Sequence, residues 1–216
     1  MNRPFRPTRK HAPGIALAAA LGALLLLTAP ARPAHATSFD EEIGIIVDWL
    51  ELKPGSVLAD IGAGDGQYAI VLSRHVSPGG QVIATELEQK DRDALVAAAR
   101  AASAPNVGVR AASREGTGLP AGCCDAVLVR DVYHQFTAPM PAAKSLFETL
   151  RPGGRVVVVD SAPSGLGALS RNKGIEAGDL IGQMQAAGFV LQERLDEWPA
   201  TGSWKQNYYG LAFSRP

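Results

Sequence analysis

Val57-Leu58-Ala59-Asp60-Ile61-Gly62-Ala63-Gly64-Asp65-Gly66 is the stretch on which the fold turns: an apolar run of strand length breaks into glycines at alternate positions, and a helical pattern follows from about Gln67 to Val76. Glycine lets the backbone turn tightly and approach a ligand closely, at the sheet edge where open α/β folds bind nucleotides. A plain strand-to-helix turn would use the same residues, so the loop needs support from elsewhere. Gln67 stands where a dinucleotide fingerprint carries its third glycine, and the resulting G-x-G-x-G fits pyrophosphate binding poorly. Support comes from Glu86, at the predicted carboxyl end of the next strand, where an acid can take both hydroxyls of a ribose.

Outward from this loop, strands and helices alternate. Gln81 to Glu86 reads as a strand, Glu88 to Ala102 as an Ala-rich helix, Val107 to Ala111 as a strand and Ala126 to Arg130 as a buried strand. Pro141 to Leu150 reads as a helix, and Arg151-Pro152-Gly153-Gly154 turns the chain into Arg155 to Asp160, whose continuous valines suit a central parallel strand. Upstream, Ser38-Phe39-Asp40-Glu41 has capping-box spacing, and Ile43, Ile46, Val47 and Leu50 recur on one face of a lead-in helix ended by Lys53-Pro54-Gly55. Such alternation predicts an α/β fold, a doubly wound Rossmann-like sheet that is mostly parallel. After a helix over Asp179 to Ala187, Phe189 to Trp198 and Gln206 to Phe213 read as two strands with no helix between them, which pair antiparallel.

The first residues have a different character. Arg3, Arg6, Arg9 and Lys10 precede the apolar run Ile15 to Leu27, and Pro30, Pro33 and then Ala34-His35-Ala36 follow. This order fits a secretory signal over residues 1–36 with a mature chain starting at Thr37, which implies export, to the periplasm in a bacterial cell. An uncleaved inner-membrane anchor is the alternative, disfavoured because a span needs about 20 apolar residues; after cleavage no stable membrane insertion is expected. The full chain is formally neutral with 21 basic and 21 acidic residues, but residues 1–36 hold five of the basic ones and no acid, leaving 16 against 21, about −5. A mildly acidic domain without a basic stripe argues against nucleic acid as partner. Cys123 and Cys124 are adjacent, a spacing at which Cα geometry disfavours a disulfide, so two unpaired thiols at the start of a buried strand are expected. No H-E-x-x-H, C-x-x-C or Asp/His array suited to a metal is read from the sequence, and no metal is expected.

Taken together, Leu58 to Gly66, the acid Glu86, the approach Leu119-Pro120 to Asp125-Ala126-Val127, and Leu150-Arg151-Pro152-Gly153-Gly154 resemble the class I S-adenosylmethionine-dependent methyltransferases, over about Ile43 to the C-terminus. The resemblance implies a seven-stranded sheet with the last strand antiparallel, and a methyltransferase domain over residues 37–216. It implies S-adenosylmethionine as cofactor, with Asp60 and the glycine loop Gly62, Gly64 and Gly66 at its amino-acid end, Glu86 on its ribose and Leu87 against its adenine. Ser113 stands where many members of the family carry an acid that contacts the adenine amino group.

Arg130-Asp131-Val132-Tyr133-His134-Gln135-Phe136 follows the fourth strand, which in this fold faces the methyl group, and is similar to a D-x-Y-H-x-F stretch of a bacterial subgroup, some of whose members carry export signals. His134 is read as a general base, as a residue orienting substrate or capping cofactor, or as a hydrogen-bonded structural histidine. Tyr133 either packs or lines the pocket, and Arg130 with Asp131 either contacts cofactor or substrate or forms a solvated ion pair. Asp160, ending the fifth strand, lies on the same rim, where helix capping explains it nearly as well. The partner expected is a small-molecule methyl acceptor; a non-catalytic exported cofactor-binding or assembly module is the rival reading. Residue pattern does not decide the acceptor, the oligomeric state, or whether Lys173-Gly174-Ile175 and Trp198 to Trp204 cover the pocket.

Overall fold

The computed structural model describes residues 38–163, 174–199 and 207–216. The expected export segment 1–36, the cleavage point at Thr37, Lys173 and residues 200–204 lie outside them. Seven strands form one sheet: β1 (Val57–Ile61), β2 (Gln81–Glu86), β3 (Val107–Ala111), β4 (Cys124–Arg130), β5 (Leu150–Ser161), β6 (Val190–Leu195) and β7 (Tyr208–Ser214). Among the described residues five α-helices accompany them: α1 (Ser38–Trp49), α2 (Gln67–His75), α3 (Gln89–Ala101), α4 (Pro139–Thr149) and α5 (Ala177–Ala186).

The strands lie in the order β3-β2-β1-β4-β5-β7-β6. β1 pairs parallel with both β2 and β4, whereas β7 inserts antiparallel between β5 and β6. The doubly wound, mostly parallel sheet with an antiparallel last strand is therefore the fold of this chain. β6 and β7 pair antiparallel because no crossover helix separates them.

The central strands read as unbroken apolar runs because both sheet faces are buried. Along β5, Val156 and Val158 enter one core while Val157 and Val159 enter the other; on β4, Val127 and Val129 split from Ala126 and Leu128 in the same way. Helices α4 and α5 cover the first face through Leu146, Leu180 and Met184. Helices α1, α2 and α3 cover the second through Ile46, Leu72 and Leu95. Each such fully buried side chain contributes about 1.5–3 kcal/mol, so stability resides in these two layers. The edge strands β3 and β6 are largely exposed and carry little of it.

The two largest boundary differences from the sequence reading lie at β5 and β6. β5 begins at Leu150, because Leu150 pairs with Cys124 before a register shift brings Ala126 against Arg155. β6 stops at Leu195, and Trp198 instead turns inward, packing edge-on against Trp49 with ring centroids 5.3 Å apart. The cysteine expectation is corrected: Cys123 and Cys124 form a disulfide between neighbours. A bridge between adjacent residues closes only the smallest possible ring, and the length of the closed loop is what gives a disulfide its leverage on the unfolded chain.

Candidate active site

The direction of winding reverses between β1 and β4, the crevice where open α/β sheets bind ligands. A cavity of about 370 Å³ opens there, lined from the β1 loop by Asp60, Gly62, Gly64 and Asp65, and from the end of β2 by Glu86 and Leu87. Ser113, Arg130, Asp131, Val132 and Phe136 close the opposite side.

The glycine loop is pinned to the end of β2. Gly62 N–H donates to Thr85 Oγ1 at 3.2 Å, Ala63 N–H to the Thr85 carbonyl at 3.0 Å and Gly64 N–H to Glu86 Oε1 at 2.6 Å. Gly62 has φ +69°, and a Cβ there would meet Val132 Cγ2 at 2.6 Å, so no other residue lets the two loops approach this closely. Gly66 lies outside the cavity lining; it precedes α2 in the left-handed conformation, against Leu95.

Asp60, one residue before the end of β1, lines the cavity. It is 2% exposed, and its Oδ2 is a buried side-chain atom without a hydrogen-bond partner, alone in this among the described residues. Burial pushes its pKa from 3.8 to about 7, while Arg130 pulls it down and Glu86 pushes it up. An unpaired buried carboxylate oxygen is costly, and a cationic or N–H-bearing ligand would relieve it.

Arg130, the last residue of β4, contrasts with Asp60 in being held on several sides. Its Nε donates to Glu42 Oε1 at 2.6 Å and its Nη2 to Glu42 Oε2 at 3.3 Å, and its Cζ lies 4.5 Å from the centre of the Tyr68 ring. Burial works against its charge, but the Glu42 carboxylate more than offsets this and the guanidinium pKa is raised. Glu42 is fully buried and also accepts from Tyr68 Oη and Trp198 Nε1, each at 2.7 Å. Burial and the bond to Glu42 raise the Tyr68 pKa.

Beyond Arg130, Asp131 takes a left-handed φ of 61° and turns the chain into a single 3-10 turn over Tyr133–Gln135. Because Arg130 pairs with Val159, the end of β5 lies alongside, and His134 Nδ1 meets Asp160 Oδ1 at 2.7 Å. Asp160 is fully buried; its Oδ1 also accepts from Ser161 N–H at 2.7 Å, and its Oδ2 from His134 N–H at 3.2 Å. Tyr208 hydrogen-bonds Asp131, and burial and then that bond raise its pKa.

Asp131, His134 and Asp160 thus bring ligand-type atoms within 4.8 Å of one another, a grouping the sequence reading had not anticipated, since parallel pairing of β4 and β5 joins residues far apart in the chain. The hydrogen bonds on Asp160 employ both its oxygens, which accounts for the grouping without an ion. His134 and Tyr133 lie behind the cavity lining. The Tyr133 hydroxyl donates to Gln183 Oε1 at 3.0 Å, its ring packs edge-on against Phe136, and burial pushes its pKa up to about 12.

A protein-family model described as a methyltransferase domain matches residues 59–158, from β1 to β5. The chain thus carries a region similar to a methyltransferase domain. The chain is 28% identical over 174 residues to a demethylmenaquinone methyltransferase of Thermus thermophilus, covering 76% of this chain and 77% of that one. It is 26% identical over 130 residues to a ubiquinone/menaquinone biosynthesis C-methyltransferase of Pasteurella multocida, covering 58% of this chain; the match spans 47% of the length of that relative, about half. In fold it resembles the crystal structure of an S-adenosylmethionine-dependent methyltransferase from Aquifex aeolicus, with a TM-score of 0.69, 17% identity, and coverage of 81% of this chain and 89% of that one.

The residues present fit S-adenosylmethionine: an orphaned carboxylate oxygen on Asp60, a glycine loop open to close approach, and Glu86 and the half-exposed Leu87 beside them. Of the residues singled out from the sequence, Asp60, Gly62, Gly64, Glu86, Leu87, Ser113, Arg130 and Asp131 line one cavity, while Gly66, Tyr133 and His134 do not. Sequence reasoning missed Tyr68, which lines the cavity, and Glu42 and Trp198 behind Arg130. Glu42 had a signal: it lies four residues before Ile46 and eight before Leu50, an acid on the apolar face of α1.

Proposed function

We propose that the chain is an exported S-adenosylmethionine-dependent methyltransferase that acts on a small molecule by in-line methyl transfer. The orphaned Oδ2 of Asp60 in the wall of the switch-point cavity carries this reading, because a buried acceptor without a partner marks where a ligand belongs. Two relatives named as methyltransferases, one acting on demethylmenaquinone, support a small-molecule acceptor.

When bound, the cofactor supplies an electrophilic methyl group on a sulfonium. The protein need only align nucleophile and methyl and keep water out, and such positioning supplies about 7–11 kcal/mol of a barrier. Asp60 and the Gly62 and Gly64 backbone hold the amino-acid end, Glu86 takes the ribose hydroxyls, and Leu87 and Ser113 flank the base. Asp131 faces the cavity from the loop that carries His134. Asp160 accepts from Nδ1 and holds the His134 ring in one orientation behind the cavity lining. Tyr133 braces the loop against α5. Residues 1–36 direct export and leave a mature chain beginning at Thr37.

Isothermal titration of the mature protein with S-adenosylmethionine tests the reading, beside Asp60→Ala and Glu86→Ala. Binding by the wild type, lost in both variants, is expected; no binding by the wild type sinks it. Incubation with a metabolite extract and methyl-labelled cofactor then separates an enzyme from a binding module, since binding with persistent absence of transfer favours the module. N-terminal sequencing of protein recovered from its native compartment is expected to begin at Thr37, and an intact Met1 would indicate a retained anchor instead.

A further inference from the structure

The wall of the cofactor cavity holds a second incomplete hydrogen-bonding group besides Asp60. Arg130 lines the cavity and spends Nε and Nη2 on Glu42, while its Nη1 makes no hydrogen bond among the described residues. An acceptor without a partner on Asp60 and a donor without one on Arg130 therefore belong to residues that line the same cavity, and the two groups sense each other electrostatically. A ligand that satisfies both carries a cation and an anion close together, the zwitterionic end of an α-amino acid.

What aims Arg130 comes from outside the methyltransferase-domain match. Glu42 belongs to α1, ahead of residue 59, where that match begins. Both its oxygens are filled: Oε1 accepts from Arg130 Nε and Trp198 Nε1, and Oε2 from Arg130 Nη2 and Tyr68 Oη. With one guanidinium edge held by Glu42 and one face over the Tyr68 ring, the plane of Arg130 is fixed and Nη1 is the corner left over. A buried acid on an otherwise apolar helix face is unfavourable unless its partners hold it, and here two of its three partners, Arg130 and Tyr68, line the cofactor cavity.

We propose that Glu42 is a positioning residue for the amino-acid end of the cofactor: it orients Arg130 so that Nη1 takes the α-carboxylate while Asp60 takes the ammonium, which makes α1 part of the binding site. This rests on the cofactor reading above and adds to it a residue that acts without touching the ligand.

The test compares two ligands that share the adenosine end, S-adenosylhomocysteine, which keeps the amino-acid end, and 5′-methylthioadenosine, which lacks it. Dissociation constants are measured by titration calorimetry for the wild type, Glu42→Gln and Arg130→Lys. Both variants are expected to weaken S-adenosylhomocysteine about tenfold or more, as for loss of one charge-assisted hydrogen bond, and to change 5′-methylthioadenosine less than about twofold. Equal weakening of both ligands makes Glu42 a purely structural residue and overturns the proposal, as does unchanged binding of S-adenosylhomocysteine. Should Glu42→Gln fail to fold by circular dichroism, Arg130→Lys, which leaves Glu42 with Tyr68 and Trp198, decides the matter alone. A wild type that binds neither ligand overturns the cofactor reading itself, a result distinct from equal weakening.

Discussion

Glu42 and Asp60 are both buried carboxylates at one cavity, on α1 and at the end of β1, and they differ in what meets their oxygens. Glu42 accepts four hydrogen bonds from three side chains, whereas Asp60 leaves Oδ2 without any. A saturated buried acid spends its charge on the fold and braces whatever it binds. An unsaturated one costs the fold stability and keeps that interaction for a ligand. The loop after β4 repeats the first pattern, with Asp160 fully engaged by His134 and Ser161.

The largest expected effect is on the braced side. Glu42→Ala should destabilise the protein by about 3–5 kcal/mol, the usual cost of leaving a buried partner charge unpaired, read from urea denaturation midpoints. A loss under about 1 kcal/mol, the scale of a surface pair, would show that Glu42 braces nothing and erase the contrast.

On the unsaturated side the sign reverses. The Asp60 pKa is raised from 3.8 to about 7, so its contribution to stability is fully present below about pH 4 and is lost as pH rises through about 7. Asp60→Asn, which cannot ionise, should therefore gain on the wild type across that window, by up to about 4 kcal/mol near pH 8, while losing cofactor affinity. A difference that stays flat from pH 4 to 8 would show that burial does not perturb Asp60. The same shift predicts proton release when the cofactor's ammonium binds near pH 6.5, visible as a buffer-dependent heat in calorimetry.

Smaller effects sharpen the picture at the loops. Gly62→Ala must overlap Val132 in a left-handed backbone and should cost about 1–3 kcal/mol together with weaker cofactor binding. If it costs nothing, the two loops are not in close contact. The smallest is Tyr133→Phe, which removes the bond to Gln183 and should cost about 1 kcal/mol, with an unaltered pH profile of turnover. A shifted profile would put the Tyr133 hydroxyl in the chemistry.

The parts of the site legible in the sequence are those written in adjacent residues. Asp60 and the glycine loop form one contiguous motif, and Glu86 follows from counting one strand onward. The braces were not legible, because their partners are distant in the chain: 88 residues separate Glu42 from Arg130 and 156 separate it from Trp198. Glu42 was visible only as an acid on an apolar helix face, a pattern that names no partner. His134 shows the same division. Its loop was marked by the residues around it, but its bond to Asp160 depends on parallel pairing between β4 and β5. The cysteine pair went the other way, since a rule about typical disulfide geometry disfavoured a bridge that the structure forms.

By itself the sequence determined the alternation of strands and helices, the apolar strands at the sheet centre, the glycine loop and the chemical class of the cofactor side. Local propensity and hydrophobic period act over a few residues, and these features need no more range than that. Only the tertiary structure decided which carboxylate is saturated and which is left waiting, and that His134 stands behind the cavity lining on Asp160. Hydrogen-bond satisfaction and desolvation depend on groups brought together from the whole chain, and no window of residues contains them.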